Sequence, residues 1–504
     1  MQRKKREATL FSTQNPELLK AVKKIAETIN RLPKNPAYKQ KPRALLVGGF
    51  VRDALLEIES KDADLEIYGV EPTELEQLLR TLFPGRVIEA GRAFGVLKIP
   101  IKEGMDIDIA IPRRETKQGN GHKGFLIESD PNLSHLEAAR RRDFTINAIA
   151  CDPLTEEMLD PYLGKADLQR KILRVVDPKT FIEDPLRVYR AIQFAARFTF
   201  AIEETSFALM KSMVEKGDLD QLSKERISDE IKKLLLKAER PSIGFELASE
   251  LGVIARDYPM LANLQTTPQE PEWHPEGNVW IHTMMVVDAA ANIIRRKDRQ
   301  FTDLEKLEVI IGALCHDLGK PATTQMGEKH GIPRIRSLGH EEAGIEPAKA
   351  LLEKWMFGDI VLHAATMAAS QHLKPSAFSI QLAQGIITRD QYANAVRKLL
   401  KKIYPLSWRV LLAVAEADSR GRDLPEVATR PYEEGELFSQ VVHEHQLDQE
   451  PVKPLVQGRD LLARGLKPGP KIGELVKKIE EARDQGIIRT REQALALLDE
   501  MLKK

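Results

Sequence analysis

At 504 residues, with 30% charged side chains and a formal net charge of +1, the chain is long enough for three or four domains that each bury a core. Only two cysteines occur, Cys151 and Cys315, both inside apolar runs, which excludes a disulfide framework and points to buried thiols in a reducing compartment. No window reaches the apolar length needed to cross a bilayer and no signal-like stretch stands near the N-terminus, so a cytoplasmic protein is expected.

The charge is uneven along the chain. Residues 1–50 carry 12 Lys/Arg against 3 acids, and residues 451–504 carry 12 against 8. Basic ends suit a polyanionic partner, and equally a solubilising segment.

The first informative stretch is Leu45-Leu46-Val47-Gly48-Gly49-Phe50-Val51-Arg52-Asp53. An apolar strand running into Gly48 and Gly49 lets backbone amides approach a triphosphate, and Arg52 on the following helix is placed to neutralise it. Asp62-x-Asp64 follows; alternation along a strand sends both carboxylates to one face, where they suit Mg²⁺. Each piece alone reads equally as a glycine turn and a solvated acidic strand; their combination points to nucleotidyl transfer. Met105–Ala110 offers a second acidic pair, with Asp108 the first choice to complete a carboxylate cluster and Asp106 the reserve.

From Leu45 to about Ala150, short apolar runs alternate with helical stretches, which predicts a small mixed sheet backed by helices. Gln118–Gly124 is glycine-rich and is expected to be a mobile loop beside the site, with His122 on its surface. In Arg141-Arg142-Asp143-Phe144-Thr145-Ile146-Asn147-Ala148, Arg142 and Asp143 could grip a ribose and its phosphates; a capped helix start uses the same residues.

After Cys151 helical patterns dominate and strand signals nearly vanish. In Glu183–Arg190, Asp184 suits an N-cap and Pro185 a first helical turn, with Arg187 and Arg190 on one face. A carboxylate accepting from the exocyclic amine of cytosine or adenine, with a guanidinium donating to the neighbouring ring nitrogen, would accept C and A alike. Uracil and guanine would leave Asp184 and Arg187 unsatisfied.

These residues carry a family resemblance. Gly48-Gly49-x-Val51-Arg52-Asp53, Asp62-x-Asp64, Arg141–Ala148 and Glu183-Asp184-x-x-Arg187, in this order, resemble the bacterial class II tRNA nucleotidyltransferases, which include CCA-adding enzymes and poly(A) polymerases. The resemblance spans roughly residues 41–260. It implies an α+β chain: a polymerase-β-like head over 41–150, then a mostly helical neck over 151–264 that selects the base and binds RNA, and a variable body and tail holding tRNA. It also implies Mg²⁺-dependent attack of the tRNA 3′ hydroxyl on the α-phosphate of CTP or ATP. Gly49, Arg52, Asp62, Asp64, Arg142, Asp143, Asp184, Arg187 and Arg190 match family positions. Gln193 stands where many relatives carry a further arginine.

A Pro-, Thr- and Glu-rich stretch near 265–277 marks a boundary, and a second helical block follows to about 420. His282, the adjacent His316-Asp317 and Asp418 suit a divalent transition metal, with His340 and His372 available to a second metal or a phosphate. This ordered set over roughly 274–420 resembles the HD phosphohydrolase superfamily. That resemblance implies phosphatase or 2′,3′-cyclic phosphodiesterase activity with Ni²⁺, Mn²⁺ or Co²⁺. Residues 421–450 hold 8 acids and 2 basic residues and read as a linker or loose surface segment, leading to a basic helical tail; 421–504 is taken as one region.

The combined expectation is an enzyme that builds or repairs the CCA end of tRNA, with an appended metal-dependent phosphohydrolase and no membrane partner. Poly(A) polymerase and partial CC-adding or A-adding enzymes share the head and neck motifs. A non-catalytic RNA-binding protein would lack the carboxylates Asp62, Asp64 and Asp108, which are present.

Overall fold

The computed structural model describes residues 10–90, 96–117, 125–424, 430–447, 455–484, 487–488 and 490–503; Gln118–Gly124 lies outside them. The chain forms two compact units, Met1–Lys374 with Arg409–Tyr432, and Pro375–Trp408 with Glu433–Lys504.

The first unit opens with a mixed sheet. Its strands are β1 (Arg43–Val47), β2 (Ala63–Tyr68), β3 (Ile88–Ala90), β4 (Val96–Lys102) and β5 (Met105–Ala110). A hairpin of β6 (Arg113–Lys117) and β7 (Phe125–Ser129) stands apart, and the short β8 (Ala150–Cys151) and β9 (Met158–Leu159) complete the sheet in the order β3-β4-β5-β2-β1-β8-β9. Among the described residues of this sheet only β2 and β5 run parallel. β1 is almost wholly buried, as its unbroken Ala44–Val47 run requires of a central strand. β5 alternates, burying Met105, Ile107 and Ile109 and turning Asp106 and Asp108 to the other face. The amphipathic helix Pro16–Asn30 packs across β1, β2, β4 and β5 through Leu18, Val22, Ile25 and Ile29.

Helices follow. Leu186–Phe198 packs against Lys224–Lys237 and Ser242–Glu250, with the small parallel pair Ile172–Leu173 and Ala201–Ile202 beside it. Val279–Ile293, Asp303–Cys315, Asp359–Gln371 and Trp408–Arg420 build the second helical block.

That block is not wholly helical as expected. Thr324–Lys329 and Ile332–Ser337 form an antiparallel hairpin, closed by His330 and Gly331, both in the left-handed region (φ 55° and 78°). Its apolar residues are sparse and mostly exposed, so the two-residue alternation that would reveal it in sequence is absent.

In the second unit Arg389–Ile403 packs with Glu433–Glu444. The acidic stretch expected as a linker therefore contains a helix, and it buries Phe438, Val441 and Val442. The tail helices Pro470–Asp484 and Arg491–Lys503 close over Leu461, Leu475, Ile479 and Leu498, so their apolar stripe is used in packing. Cys151 and Cys315 are free and buried, and burial pushes both thiols up to about 12. Among the described residues no helix is long and apolar enough to cross a membrane.

Candidate functional site

The central strand β1 leads into Gly48 with φ 67°, a conformation that glycine adopts without strain. A Cβ there would stand 2.8 Å from Nη1 of Arg142 and 3.6 Å from Oδ2 of Asp64, so the turn, the arginine and the carboxylate are packed together. In register, Asp64 faces Val47 on β1 and Asp108 on β5. Asp62 lies one residue before β2 and is exposed.

Asp64 is open to solvent yet crowded. Desolvation by its surroundings, with repulsion from Asp108, Glu66 and Asp62, outweighs the Arg142 attraction and pushes its carboxyl up to about 6. Three carboxylates that disfavour one another's charge, open on one side, fit a divalent cation. Lys98, across β4, places Nζ 3.1 Å from Oδ2 of Asp106 and 3.1 Å from Oδ1 of Asp108. Asp106 and Asp108 thus share one ammonium, a partner that sequence reading missed.

The arginines have protein partners. Arg142 donates to the buried Glu66 at 2.9 Å, and Glu66 also accepts from Tyr68 at 2.8 Å. Arg52 is 4% exposed; it donates to Asp53 (2.6 and 2.8 Å) and Asn147 (2.6 Å) and lies over the rings of Phe194 and Phe198. It sits beneath the Gly48–Gly49 turn as a buried brace rather than projecting from it.

Asp143 accepts from Asn147 at 2.8 Å and from Arg190 at 2.6 Å. Burial alone would raise its carboxyl, but Arg190 and the Asn147 amide hold it down at about 2. Asp184 accepts from both terminal nitrogens of Arg226, at 3.1 and 2.8 Å, and from the Leu186 N–H at 3.3 Å; the N-cap of the helix is Pro185 and not Asp184 as expected, because Pro185 precedes a helix that starts at Leu186. The Arg226 partner was not foreseen: its helix was, but a lone arginine there reads as surface. Arg187 donates to the carbonyls of Thr180 (2.6 Å) and Arg141 (2.7 Å). Gln193 is 2% exposed, and its Nε2 has no hydrogen-bond partner among the described residues.

The second constellation converges from five segments. His282, on Val279–Ile293, places Nε2 3.1 Å from Oδ1 of Asp418 and 3.3 Å from Nε2 of His316. Asp317 Oδ2 lies 3.1 Å from His316 Nε2 and 2.7 Å from Lys320 Nζ. On the other side of Asp317, Oδ1 lies 3.5 Å from His340 Nε2, and His372 stacks edge-on at 5.2 Å from His316. Gly319 makes the convergence possible: a Cβ there would lie 2.0 Å from the His340 carbonyl oxygen.

The donor chemistry fits divalent cations. Burial and the neighbouring His316 and His340 hold His372 down at about 4, so it is a neutral imidazole at pH 7. Asp317 and Asp418 stay ionised, held well below the usual range by His316 and Lys320, and by His282 and Arg422, against the cost of burial. His340 Nε2 is buried without a hydrogen-bond partner among the described residues. Ligand atoms of His282, His316 and Asp317, and separately of Asp317, His340 and His372, lie within 4.8 Å of one another. Behind His282, Glu276 accepts from Nδ1 at 2.9 Å and also from His274 at 2.9 Å, which fixes the His282 ring with Nε2 toward the cluster. Sequence reading missed Glu276.

Family models match in the same order: "Poly A polymerase head domain" over residues 44–174, "Probable RNA and SrmB- binding site of polymerase A" over 199–264, and "HD domain" over 279–399. The Multifunctional CCA protein of Stenotrophomonas maltophilia is 35% identical over 436 residues, covering 86% of this chain and 97% of that protein. The chain belongs to the multifunctional CCA protein family. A second member, from Methylobacillus flagellatus, is 36% identical over 381 residues, covering 75% and 84%. Among solved structures, a CCA-adding enzyme in complex with CTP matches at TM-score 0.55 and 19% identity over 98% of each chain. A tRNA nucleotidyltransferase with a primer tRNA and an incoming ATP analogue matches at TM-score 0.55 and 23% identity, over 84% of this chain and 99% of that one. The structural matches show the CCA-adding enzyme fold, and the family models give a polymerase-β-like head followed by a helical region and an HD domain.

Proposed function

We propose that this protein adds and repairs the 3′-terminal CCA of tRNA from CTP and ATP, releasing pyrophosphate, in the cytoplasm. The observation that carries this reading is the placement of Asp64 and Asp108 side by side on β2 and β5 beside the Gly48 turn, in a chain of the multifunctional CCA family. Asp62, Asp64 and Asp108 would hold Mg²⁺, which when bound polarises the α-phosphate toward attack. Gly48 and Gly49 leave room for the triphosphate. Arg142 is held by Glu66 against the turn, where its positive charge faces the phosphates. Asp184 and Arg187, on the neck, supply the acceptor and donors that suit cytosine and adenine, and Arg226 sets the carboxylate's orientation.

The second cluster supports a metal-dependent phosphohydrolase acting on phosphoesters, 2′,3′-cyclic phosphates among them. His282, His316, Asp317 and Asp418 would hold one Ni²⁺, Mn²⁺ or Co²⁺ ion, and Asp317, His340 and His372 are grouped to take a second. Lys320, fixed by Asp317 and the Gln269 side chain at 2.7 Å each, would set a positive charge beside a phosphate bound over the cluster.

The test is incorporation on tRNA transcripts ending at the discriminator base, at C or at CC, with labelled CTP and ATP supplied singly and together. Two C followed by one A is the expected product. Two C alone, or A alone, would make it a partial enzyme, and long A tails on any RNA would make it a poly(A) polymerase. For the second site, no hydrolysis of 2′,3′-cyclic AMP or p-nitrophenyl phosphate with any of the three metals would defeat the phosphohydrolase reading.

A further inference from the structure

Two acids on β5 are equivalent by spacing, and one lysine separates them. Asp106 and Asp108 leave the same face of the strand, with side chains 29% and 34% exposed. Pairing of β4 with β5 sets Lys98 opposite Asp108, and its ammonium lies 3.1 Å from Oδ2 of Asp106 and 3.1 Å from Oδ1 of Asp108. That Oδ1 is closed to solvent although the side chain is not, so the accessible oxygen of Asp108 is Oδ2. Asp106 also lies beyond the paired part of β2, which opposes Ile107 with Ala63 and Asp108 with Asp64.

The acidic row has cations at both ends. Glu66, two residues after Asp64 on β2, is buried and meets Arg142 at 2.9 Å and Arg141 at 3.5 Å. Lys98 closes the other end at Asp106. Asp64 and Asp108 lie between them, the adjacent pair of carboxylates that a divalent ion needs. With no ammonium at Lys98, Asp106 and Asp108 would be neighbouring carboxylates without a counter-charge, a competing cation site displaced from Asp64 and the Gly48 turn.

We propose that Lys98 is a positioning residue of the nucleotidyl-transfer site: it withdraws Asp106 from the metal-binding set and holds Asp108 by one oxygen, so that the other stays open to an ion shared with Asp64. This rests on the nucleotidyltransferase reading and gives a part in that site to a residue outside its carboxylates. Lys98 touches neither the nucleotide nor the reacting atoms; it acts by fixing which acids a cation meets.

The experiment uses the full-length protein and two readouts. One is Mn²⁺ alone, counted by electron paramagnetic resonance without nucleotide; the other is CTP incorporation on a tRNA transcript. The His316–Asp317 cluster adds the same Mn²⁺ count to every variant. Lys98→Met keeps the length of the side chain and removes its charge. It should bind a further Mn²⁺ equivalent, and kcat for incorporation should fall about 10–100-fold with KM for CTP within about twofold of wild type. In K98M/D106N the neutral amide removes the competing site, so the extra equivalent should vanish and most of the lost kcat should return. Asp106→Asn alone leaves Lys98 on Asp108 and carries the test even if Lys98→Met does not fold: its Mn²⁺ count should match wild type and its incorporation should stay within about threefold. A loss in Asp106→Asn as deep as in Asp108→Ala would overturn the proposal, because Asp106 would then be a ligand. So would an unchanged Mn²⁺ count in folded Lys98→Met. If the wild type incorporates neither CTP nor ATP, yet the extra equivalent appears in Lys98→Met and vanishes in K98M/D106N, the role of Lys98 stands and the nucleotidyltransferase reading falls. Incorporation by the wild type with one Mn²⁺ count in all four proteins gives the reverse.

Discussion

Asp64 and Asp108 are direct partners across the parallel pair β2–β5 of the main sheet. Parallel register sets their side chains on one face at the same height, and Lys98 on β4 neutralises Asp108 from the far side. Asp64 is left facing the Gly48 turn, where a triphosphate would lie.

The first prediction concerns that pair. On the proposed function, Asp64→Ala and Asp108→Ala would each remove a cation ligand that matters only when phosphate charge is being rearranged. Each should lower CCA incorporation at least ~10³-fold, about 4 kcal/mol of barrier, with tRNA affinity in filter binding altered less than about twofold. Either variant retaining a tenth of wild-type incorporation would remove that residue from the catalytic assignment.

Much of this site was legible because its signals are local. Gly48-Gly49, Asp62-x-Asp64 and His316-Asp317 each place chemistry within a few residues, and β5 shows its alternation openly. What could not be read were partnerships across distance. Lys98 meets Asp108 only because β4 pairs with β5, Arg226 meets Asp184 across 42 residues, and Glu276 reaches His282 from a turn before the helix. Arg52, expected on the helix after the glycine turn to neutralise a triphosphate, is buried against Phe194 and Phe198, contacts from residues far along the chain. The grouping of Pro375–Trp408 with Glu433–Lys504, across an intervening segment, is likewise a tertiary fact with no local sign.

Arg226 provides the second prediction. Its guanidinium meets the Asp184 carboxylate with two hydrogen bonds, a geometry that lysine cannot reproduce. Arg226→Lys should therefore loosen the carboxylate without deleting the charge. Incorporation of CTP and ATP should drop about tenfold in kcat/KM, about 1.4 kcal/mol, with UTP misincorporation rising. Steady-state incorporation with each of the four nucleotides measures this, and an unchanged C/U ratio would confine Arg226 to packing.

The third prediction is a pH dependence. Asp143 titrates at about 2 in the folded protein against an ordinary 3.8, so the unfolded chain takes up the proton first as the pH falls. Its stabilisation is complete above about pH 4 and is lost as pH falls toward 2, and it corresponds to about 2 kcal/mol. Asp143→Asn should lower the unfolding midpoint in urea at pH 7, and the gap to wild type should narrow below pH 4. A gap that stays constant down to pH 3 would mean that the Arg190 contact contributes through packing alone.

Glu276 gives a prediction for metal binding. It accepts from His282 Nδ1 at 2.9 Å, with the Gly421 carbonyl a second acceptor at 3.2 Å, which on the proposed function would leave Nε2 for a cation. Glu276→Gln keeps the shape but can turn a donor toward that nitrogen. Mn²⁺ or Ni²⁺ affinity in calorimetric titration should weaken about 10–100-fold, while CCA incorporation is unchanged. Equal affinities in the two proteins would make Glu276 a loop anchor only.

The last prediction has the opposite pH sign from Asp143. Glu308, buried within the helix Asp303–Cys315, is pushed up to about 7 by desolvation, with repulsion from Glu305 adding to it. An acid whose folded pKa lies above its ordinary 4.5 costs nothing below pH 4.5, where it is protonated in both states. The cost grows as pH rises from 4.5 to 7 and is full above 7, because folding must then bury a charge or carry a proton that the unfolded chain has released. Glu308→Gln removes the charge and keeps the volume. It should raise the unfolding midpoint at pH 8 by the equivalent of about 2–3 kcal/mol and leave it nearly unchanged at pH 4.5. Urea unfolding of both proteins at the two pH values decides it: stabilisation equal at both would locate the effect in packing, and none at pH 8 would mean that the carboxylate stays solvated in the folded protein.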